Sequence, residues 1–340
     1  MKVPWKIDVF CHILPQRYYD YLVRHVAGEA YMQKRVRGIP ALYDLDARFR
    51  ILDAYPDYVQ VLSLAAPPLE AVAGPDRSPE LARVANDAMA ELVDRYPYRF
   101  VGFIASLPLN HPEAAVQEAE RAIGELGATG VQIYTNVNGK PLDQPEYLPL
   151  FAYMSRCDLP IWVHPTRPPD QPDYPTESRS KYDIWWTFGW PYETSVFMAR
   201  MVFSGLFDRF PNLKLLTHHM GGMVPYFEGR VGWGLDQLGT RTDFPEDLQA
   251  KEALRKRPLD YFRAFYADTA LFGALAATEC GIAFFGAERV LFATDFPFDP
   301  EGGSLFIRET IRVVENVSFP PEAKQAIFEG NARRLLRLRL

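Results

Sequence analysis

The chain has 340 residues, 48% of them hydrophobic and 24% charged, and a formal net charge of −6 at pH 7. That balance belongs to a folded globular protein rather than a disordered one, and with no basic stripe it argues against nucleic acid as a partner. The three cysteines, Cys11, Cys157 and Cys280, are odd in number and far apart, which argues against a disulfide framework and for a reducing compartment.

Residues 1–5 lead into a strand without a signal-peptide core, and no stretch reaches the roughly 18 apolar residues of a membrane span. The expected location is therefore the cytoplasm, with no membrane partner. Candidate strands follow at 6–10, 58–62, 100–104, 130–134, 160–164, 213–217, 264–267 and 289–292. Amphipathic helical patterns lie between them at 78–95, 112–126, 147–157, 193–210 and 269–280. Strands interleaved with helices in this way predict an α/β fold, a (β/α)8 TIM barrel. A doubly wound sheet competes, but no G-x-G-x-x-G opens after the first strand. Residues 28–43, 165–190 and 238–260 break the repeat. They are read as insertions at the catalytic face of a single domain spanning 1–340.

Four apolar runs end in polar side chains. In Ile7-Asp8-Val9-Phe10-Cys11-His12, strand alternation puts residues 8, 10 and 12 on one face, so His12 leaves on the side of Phe10 and Cys11 turns away as a packed thiol. Ile161-Trp162-Val163 ends in His164, and Leu213-Lys214-Leu215-Leu216-Thr217 ends in His218-His219, of which alternation lets only one face a site. Leu291-Phe292-Ala293-Thr294 ends in Asp295. A lone buried histidine is ordinarily a hydrogen-bonded core residue. Four such residues at the carboxyl ends of strands, on one barrel face, favour a site. Imidazoles and a carboxylate converging from different strands suit zinc or a similar divalent ion, which in catalytic sites keeps three protein ligands and one open position.

These residues sit in motifs that resemble the amidohydrolase superfamily. The motifs are Ile7-Asp8-Val9-Phe10-Cys11-His12, Ser106-Leu107-Pro108-Leu109-Asn110, Val163-His164-Pro165, His219-Met220-Gly221-Gly222, Ala293-Thr294-Asp295-Phe296-Pro297 and Gly330-Asn331-Ala332. The resemblance is to the amidohydrolase-related branch that includes aminocarboxymuconate-semialdehyde decarboxylase and the γ-resorcylate and 5-carboxyvanillate decarboxylases. It implies a TIM barrel with a metal at its mouth, zinc or alternatively manganese, held by His12, His164 and Asp295. It implies His219 and Asp295 as the catalytic pair, with His218 either turned outward or supporting them from behind. It also implies a homo-oligomer, a dimer or tetramer. One position departs: the first ligand of the family falls at Phe10, which cannot donate to a metal. Either His12, His164 and Asp295 hold the ion with His219 or water, or the site is metal-free.

The implied reaction is non-oxidative decarboxylation of a small aromatic or muconate-like carboxylic acid. Hydrolysis of an ester, lactone or amide is the alternative, and a barrel that has lost catalysis a third reading. Scarcity of ligands favours chemistry that needs no metal hydroxide. Arg167, three residues after His164, could pair the substrate carboxylate, against the plain reading of a loop arginine. Tyr134 and Trp186, with Trp185 and Trp190, could line an aromatic pocket, or else pack a lid or a subunit interface.

Overall fold

Eight apolar runs become parallel strands. They are β1 Lys6–Ile13, β2 Tyr58–Leu64, β3 Phe100–Phe103 with its continuation Ala105–Ser106, β4 Val131–Tyr134, β5 Pro160–His164, β6 Lys214–Thr217, β7 Tyr266–Asp268 and β8 Val290–Leu291. This computed structural model describes residues 4–25 and 33–338; residues 28–32 of the insertion expected at 28–43 lie outside the described residues. Each strand pairs in parallel with its sequence neighbour, the break within β3 dividing the ladder into a three-stranded and a six-stranded sheet. Backbone bonds join the first strand to the last: the Val9 amide donates to Phe292 O at 3.0 Å, and the His12 amide to Phe296 O at 2.8 Å. The result is the (β/α)8 barrel, its strands buried on both faces as parallel strands are.

The barrel interior is a packed core containing Ile7, Val9, Phe10, Val61, Ile104, Trp162, Leu216 and Leu291. Trp162 donates its indole N–H to Val9 O at 3.0 Å, which meets the need of a buried Trp for a partner. Helix Asn331–Leu336 places Ala332, Leu335 and Leu336 in the same cluster, closing one end of the barrel.

Strand alternation fails at one informative place. The β1–β2 register shifts between Asp8 and Cys11, a bulge-like irregularity. Asp8 therefore does not share the face of Phe10. It accepts bonds from Tyr58 Oη at 2.5 Å and from Thr294 Oγ1. Phe10 and His12 do face inward together, 5.0 Å apart between ring centroids. Cys11 points outward, its Sγ 3.5 Å from Tyr58 Oη.

Two helices differ from their sequence patterns. The pattern over 193–210 becomes Gly189–Phe203 and Leu206–Arg209, because Gly205 adopts φ +70° and ends the first helix. The pattern over 269–280 shifts to Leu275–Phe285, because Phe272 at φ +54° and Gly273 at φ +86° turn the chain first. The segment 165–190 is mostly irregular, with one helical turn at Ile184–Thr187; 238–260 carries Pro245–Glu252 and the start of Pro258–Phe262. Among the described residues no helix is long and apolar enough to cross a membrane.

Arg48 and Glu70 are both buried ionisable residues, one richly partnered and one not. Arg48, fully buried in helix Leu45–Leu52, donates Nη1 to His12 O at 2.9 Å and Nε to Gln60 Oε1 at 2.8 Å. Its guanidinium lies 4.6 Å over the Phe296 ring, so one side chain holds both the end of β1 and the turn after β8. Glu70, 5% exposed, keeps Oε1 without a hydrogen-bond partner, and burial pushes its carboxyl up from 4.5 to about 7. The folded state thus holds a proton that the unfolded chain has released between those two values. Stability is greatest below pH 4.5 on this account and declines as pH rises through 7. Glu70→Gln should flatten that decline and raise stability at pH 8 by about 3 kcal/mol, measured by urea unfolding from pH 4.5 to 8. Parallel curves for the two proteins would contradict it.

Candidate active site

At the carboxyl ends of β1, β5, β6 and β8 the chain assembles His12, His164, His218, His219 and Asp295. Asp295 is at the centre. Its Oδ1 lies 3.0 Å from His12 Nε2 and 3.3 Å from His218 Nε2, and its Oδ2 lies 3.7 Å from His219 Nε2. The residue has φ +65°, a left-handed conformation that Asp tolerates better than most residues. Thr294 beside it is tied to Asp8 on β1 by its amide at 3.3 Å and by its hydroxyl. The first and last strands therefore fix this carboxylate together.

The histidines are oriented from behind. Ser63 Oγ donates to Cys11 O at 3.2 Å and lies 3.1 Å from His12 Nδ1, so with its one proton committed it accepts from that nitrogen. His164 Nδ1 lies 2.6 Å from Pro165 O, an atom that can only accept. In both rings Nδ1 carries the proton and Nε2 presents a lone pair. His12 Nε2 is buried with no hydrogen-bond partner, and its approach to Asp295 lacks the geometry of a hydrogen bond. A buried imidazole nitrogen left without a partner 3.0 Å from a carboxylate oxygen makes a place for a cation.

The expectation that only one residue of the His218–His219 pair faces the site is wrong. His218 is fully buried within the cluster, and His219 approaches the same carboxylate. Alternation does not apply because β6 ends at Thr217 and the chain turns. His219, Met220, Gly221 and Gly222 take φ values of +53°, +54°, +74° and +63° in succession. A Cβ on Gly222 would meet Pro191 O at 2.4 Å, so the turn depends on glycine there.

Electrostatics separate the members. For Asp295 burial acts upward, but contacts with His12, His218 and His219 outweigh it and hold the carboxyl well below the usual range. For His218 burial acts downward, yet the Asp268 carboxylate, with Asp295, raises it to about 9. His164 is held well below 6.5 by burial and by the neighbouring imidazoles, and His219 is lowered by burial and by His218. The side chains of His12 and His218 are wholly buried, whereas His219 is 11% and Asp295 9% exposed. Those last two can reach a substrate.

The residues fit a divalent ion. Donor atoms of His12, His164 and His218 lie within 4.8 Å of one another, as do those of His218, His219 and Asp295. Ligand atoms around a tetrahedral ion with bonds of about 2.0–2.1 Å are separated by about 3.3 Å, close to the spacings at Asp295 Oδ1.

Phe10 forms an apolar floor, its ring centroid 4.0 Å from that of His218 and 5.9 Å from that of His164. Aromatic rings surround the cluster: Tyr134 is 5.0 Å and Trp190 5.3 Å from His164, Phe298 is 5.4 Å from His12, and Phe272 is 5.5 Å from His219. Trp186 stands one ring further out, 6.4 Å from Trp190. Arg167 sits between Asp173 and Glu193, at 3.9 Å from each.

Sequence reasoning missed Ser63 and Asp268, which orient ligand-type histidines, and the rim residues Phe272 and Phe298. Asp268 carried a usable signal, since Tyr266-Ala267-Asp268 is another apolar strand ending in an acid.

A family model described as Amidohydrolase matches residues 7–338. The chain is 34% identical over 307 residues to gamma-resorcylate decarboxylase from Polaromonas sp. JS666, covering 86% of this chain and 87% of the relative. It is 31% identical over 348 residues to 2-amino-3-carboxymuconate-6-semialdehyde decarboxylase from Dictyostelium discoideum, covering 98% and 92%. Its fold superimposes on the crystal structure of dihydroxybenzoic acid decarboxylase from Polaromonas sp. JS666, which holds manganese and the inhibitor 2-nitroresorcinol. The TM-score is 0.79 at 30% identity, with 98% of this chain and 97% of that one covered.

Proposed function

This chain belongs to the amidohydrolase family, and from that premise we propose that it is a metal-dependent, non-oxidative decarboxylase of a small aromatic carboxylic acid. One observation carries the reading: His12 Nε2, buried with no hydrogen-bond partner, stands 3.0 Å from the Asp295 carboxylate inside a ring of aromatic side chains. The relatives described above are decarboxylases, and one binds manganese with a nitroresorcinol. Hydrolysis would draw on the same donors but has no counterpart among those relatives.

His12, His164 and Asp295 would hold the ion. When bound, a divalent cation supplies positive charge that anchors the substrate's carboxylate and an adjacent oxygen and stabilises charge developing on the ring. The flat rings of Tyr134, Trp190, Phe272 and Phe298 suit an aromatic acid by shape and by exclusion of water. His219, the most exposed imidazole of the cluster, delivers a proton to the ring carbon that bears the carboxylate. A C–H bond forms there, and the C–C bond to the carboxylate then breaks. Its electron pair returns to the ring as carbon dioxide leaves. His219 regains its proton from water at its open edge. Asp295, held well below the ordinary carboxyl range, acts as the fixed anion that steadies the protonated imidazole rather than as the donor itself.

Manganese in the Polaromonas relative supports manganese as the ion, with zinc the alternative suited to this nitrogen-rich donor set. Trp190 and Tyr134 are the nearer aromatic contacts for the substrate, with Trp186 behind them. Arg167 can serve the substrate carboxylate only by leaving Asp173 and Glu193. Unpaired Cys11, Cys157 and Cys280 support a reducing, cytoplasmic setting. Exposed Tyr192, Tyr226 and Trp233 support a homo-oligomer. The match over residues 7–338 supports a single domain.

The test is release of carbon dioxide from a panel of ortho-hydroxybenzoates and muconate semialdehydes, run beside esters and lactones. Carbon dioxide from a hydroxybenzoate, lost on chelation and restored by manganese or zinc, is the expected result. Turnover of the esters or lactones alone would overturn the reading.

A further inference from the structure

His218, which the family resemblance implies is an outward or supporting partner, is fully buried within the cluster. Its Nδ1 lies 2.5 Å from Asp268 Oδ2. The other oxygen of Asp268 accepts the backbone amides of His219 at 3.0 Å and Ala270 at 3.1 Å. That carboxylate is clamped at both ends, so it sets the ring of His218 and leaves Nε2 aimed at Asp295 Oδ1, 3.3 Å away. A carboxylate behind a histidine is the usual way a ligand imidazole is oriented and made more basic.

Three imidazoles are thus braced from behind by three different acceptors: Ser63 behind His12, Pro165 O behind His164 and Asp268 behind His218. Their donor atoms lie within 4.8 Å of one another. At position 10, beside His12, β1 offers only carbon, since the Phe10 ring packs 4.0 Å from His218.

We propose that His218, oriented by Asp268, is a metal ligand of this protein, so that the ion is held by His12, His164, His218 and Asp295. The nitrogen donor comes from the end of β6 in place of any donor at position 10. His219 is then spared for proton transfer. The alternative arrangement is a purely structural one, in which His218 is a buried cation bridging Asp268 and Asp295 and has no part in holding the ion.

The inference rests on the metal-dependent reading above, but metal content rather than turnover tests it. Purified wild type, His218→Asn, Asp268→Asn and the double variant Phe10→Glu/His218→Asn are loaded with manganese or zinc, dialysed and assayed for bound metal. Affinity follows from competition with a chromophoric chelator, and circular dichroism with thermal unfolding confirms the fold of each. His218→Asn should weaken binding by about 100-fold or more, and Asp268→Asn by about 10- to 100-fold. The double variant should recover at least about tenfold of the loss, because a carboxylate on β1 re-enters the same space. In the cobalt-loaded proteins, loss of a nitrogen donor should shift the visible d–d bands.

A folded His218→Asn that binds one ion as tightly as wild type, with an unchanged cobalt spectrum, would overturn the inference and leave the decarboxylase reading intact. Wild type that takes up no ion would overturn both. Metal binding that tracks the variants as stated, in a protein that releases no carbon dioxide from any acid tested, would support the ligand set and overturn the reaction instead.

Discussion

In Asp295→Asn, kcat for carbon dioxide release is expected to fall by at least about 1,000-fold, with bound metal dropping below one ion per chain. The substitution keeps size and shape. It also keeps backbone tolerance, since Asn accepts the φ of +65° seen at this position about as readily as Asp. What it removes is the anion on which His12, His218 and His219 converge at 3.0, 3.3 and 3.7 Å. The three imidazoles would then face a neutral amide, and an ion would lose its only carboxylate among those donors. Metal analysis and steady-state carbon dioxide assays on the same preparation check both parts. Turnover near that of wild type would remove Asp295 from the mechanism.

His219→Asn separates proton transfer from metal binding. Its kcat should fall by about 100- to 10,000-fold, the usual worth of a positioned general acid. KM should stay within about threefold, and metal content should be unchanged. His219 is the partly exposed imidazole of the cluster and, of the three that approach Asp295, the farthest from it, so proton transfer rather than ion holding is its expected role. Its backbone at φ +53° again favours Asn as the replacement. The alkaline limb of the pH–rate profile, where the wild type loses its proton donor, should vanish in the variant, which a merely structural role would not produce. Loss of bound metal in parallel with turnover would instead make His219 a ligand.

The architecture was legible because a parallel barrel writes itself in a simple code. Helix Ser78–Arg95 and strand Pro160–His164 have the bounds read from the sequence, since apolar periodicity of 3.6 or a continuous apolar run leaves little choice. The helices that moved did so for backbone reasons: Gly205 broke one, and the turn at Phe272–Gly273 delayed another. Propensity over a long window does not register a single left-handed residue.

The site was legible in part. His12, His164, His219 and Asp295 could be picked out because each is a polar residue ending an apolar run. Their convergence followed from the rule that strand ends share one face of a barrel. The sequence by itself determined this much, because residue type and two-residue periodicity are local properties; that a donor is missing at Phe10 is what the family resemblance implies. Only the tertiary structure decided how the two histidines of the pair sit relative to Asp295 and Asp268. The irregularity between Asp8 and Cys11 sends Asp8 outward to Thr294 while Phe10 and His12 stay inside. The four left-handed residues from His219 to Gly222 let both members of the histidine pair reach one carboxylate. Asp268, fifty residues from His218, completes the arrangement. Bulges, left-handed turns and contacts between distant residues depend on which backbone groups the closed barrel leaves to be satisfied, and no local pattern encodes that.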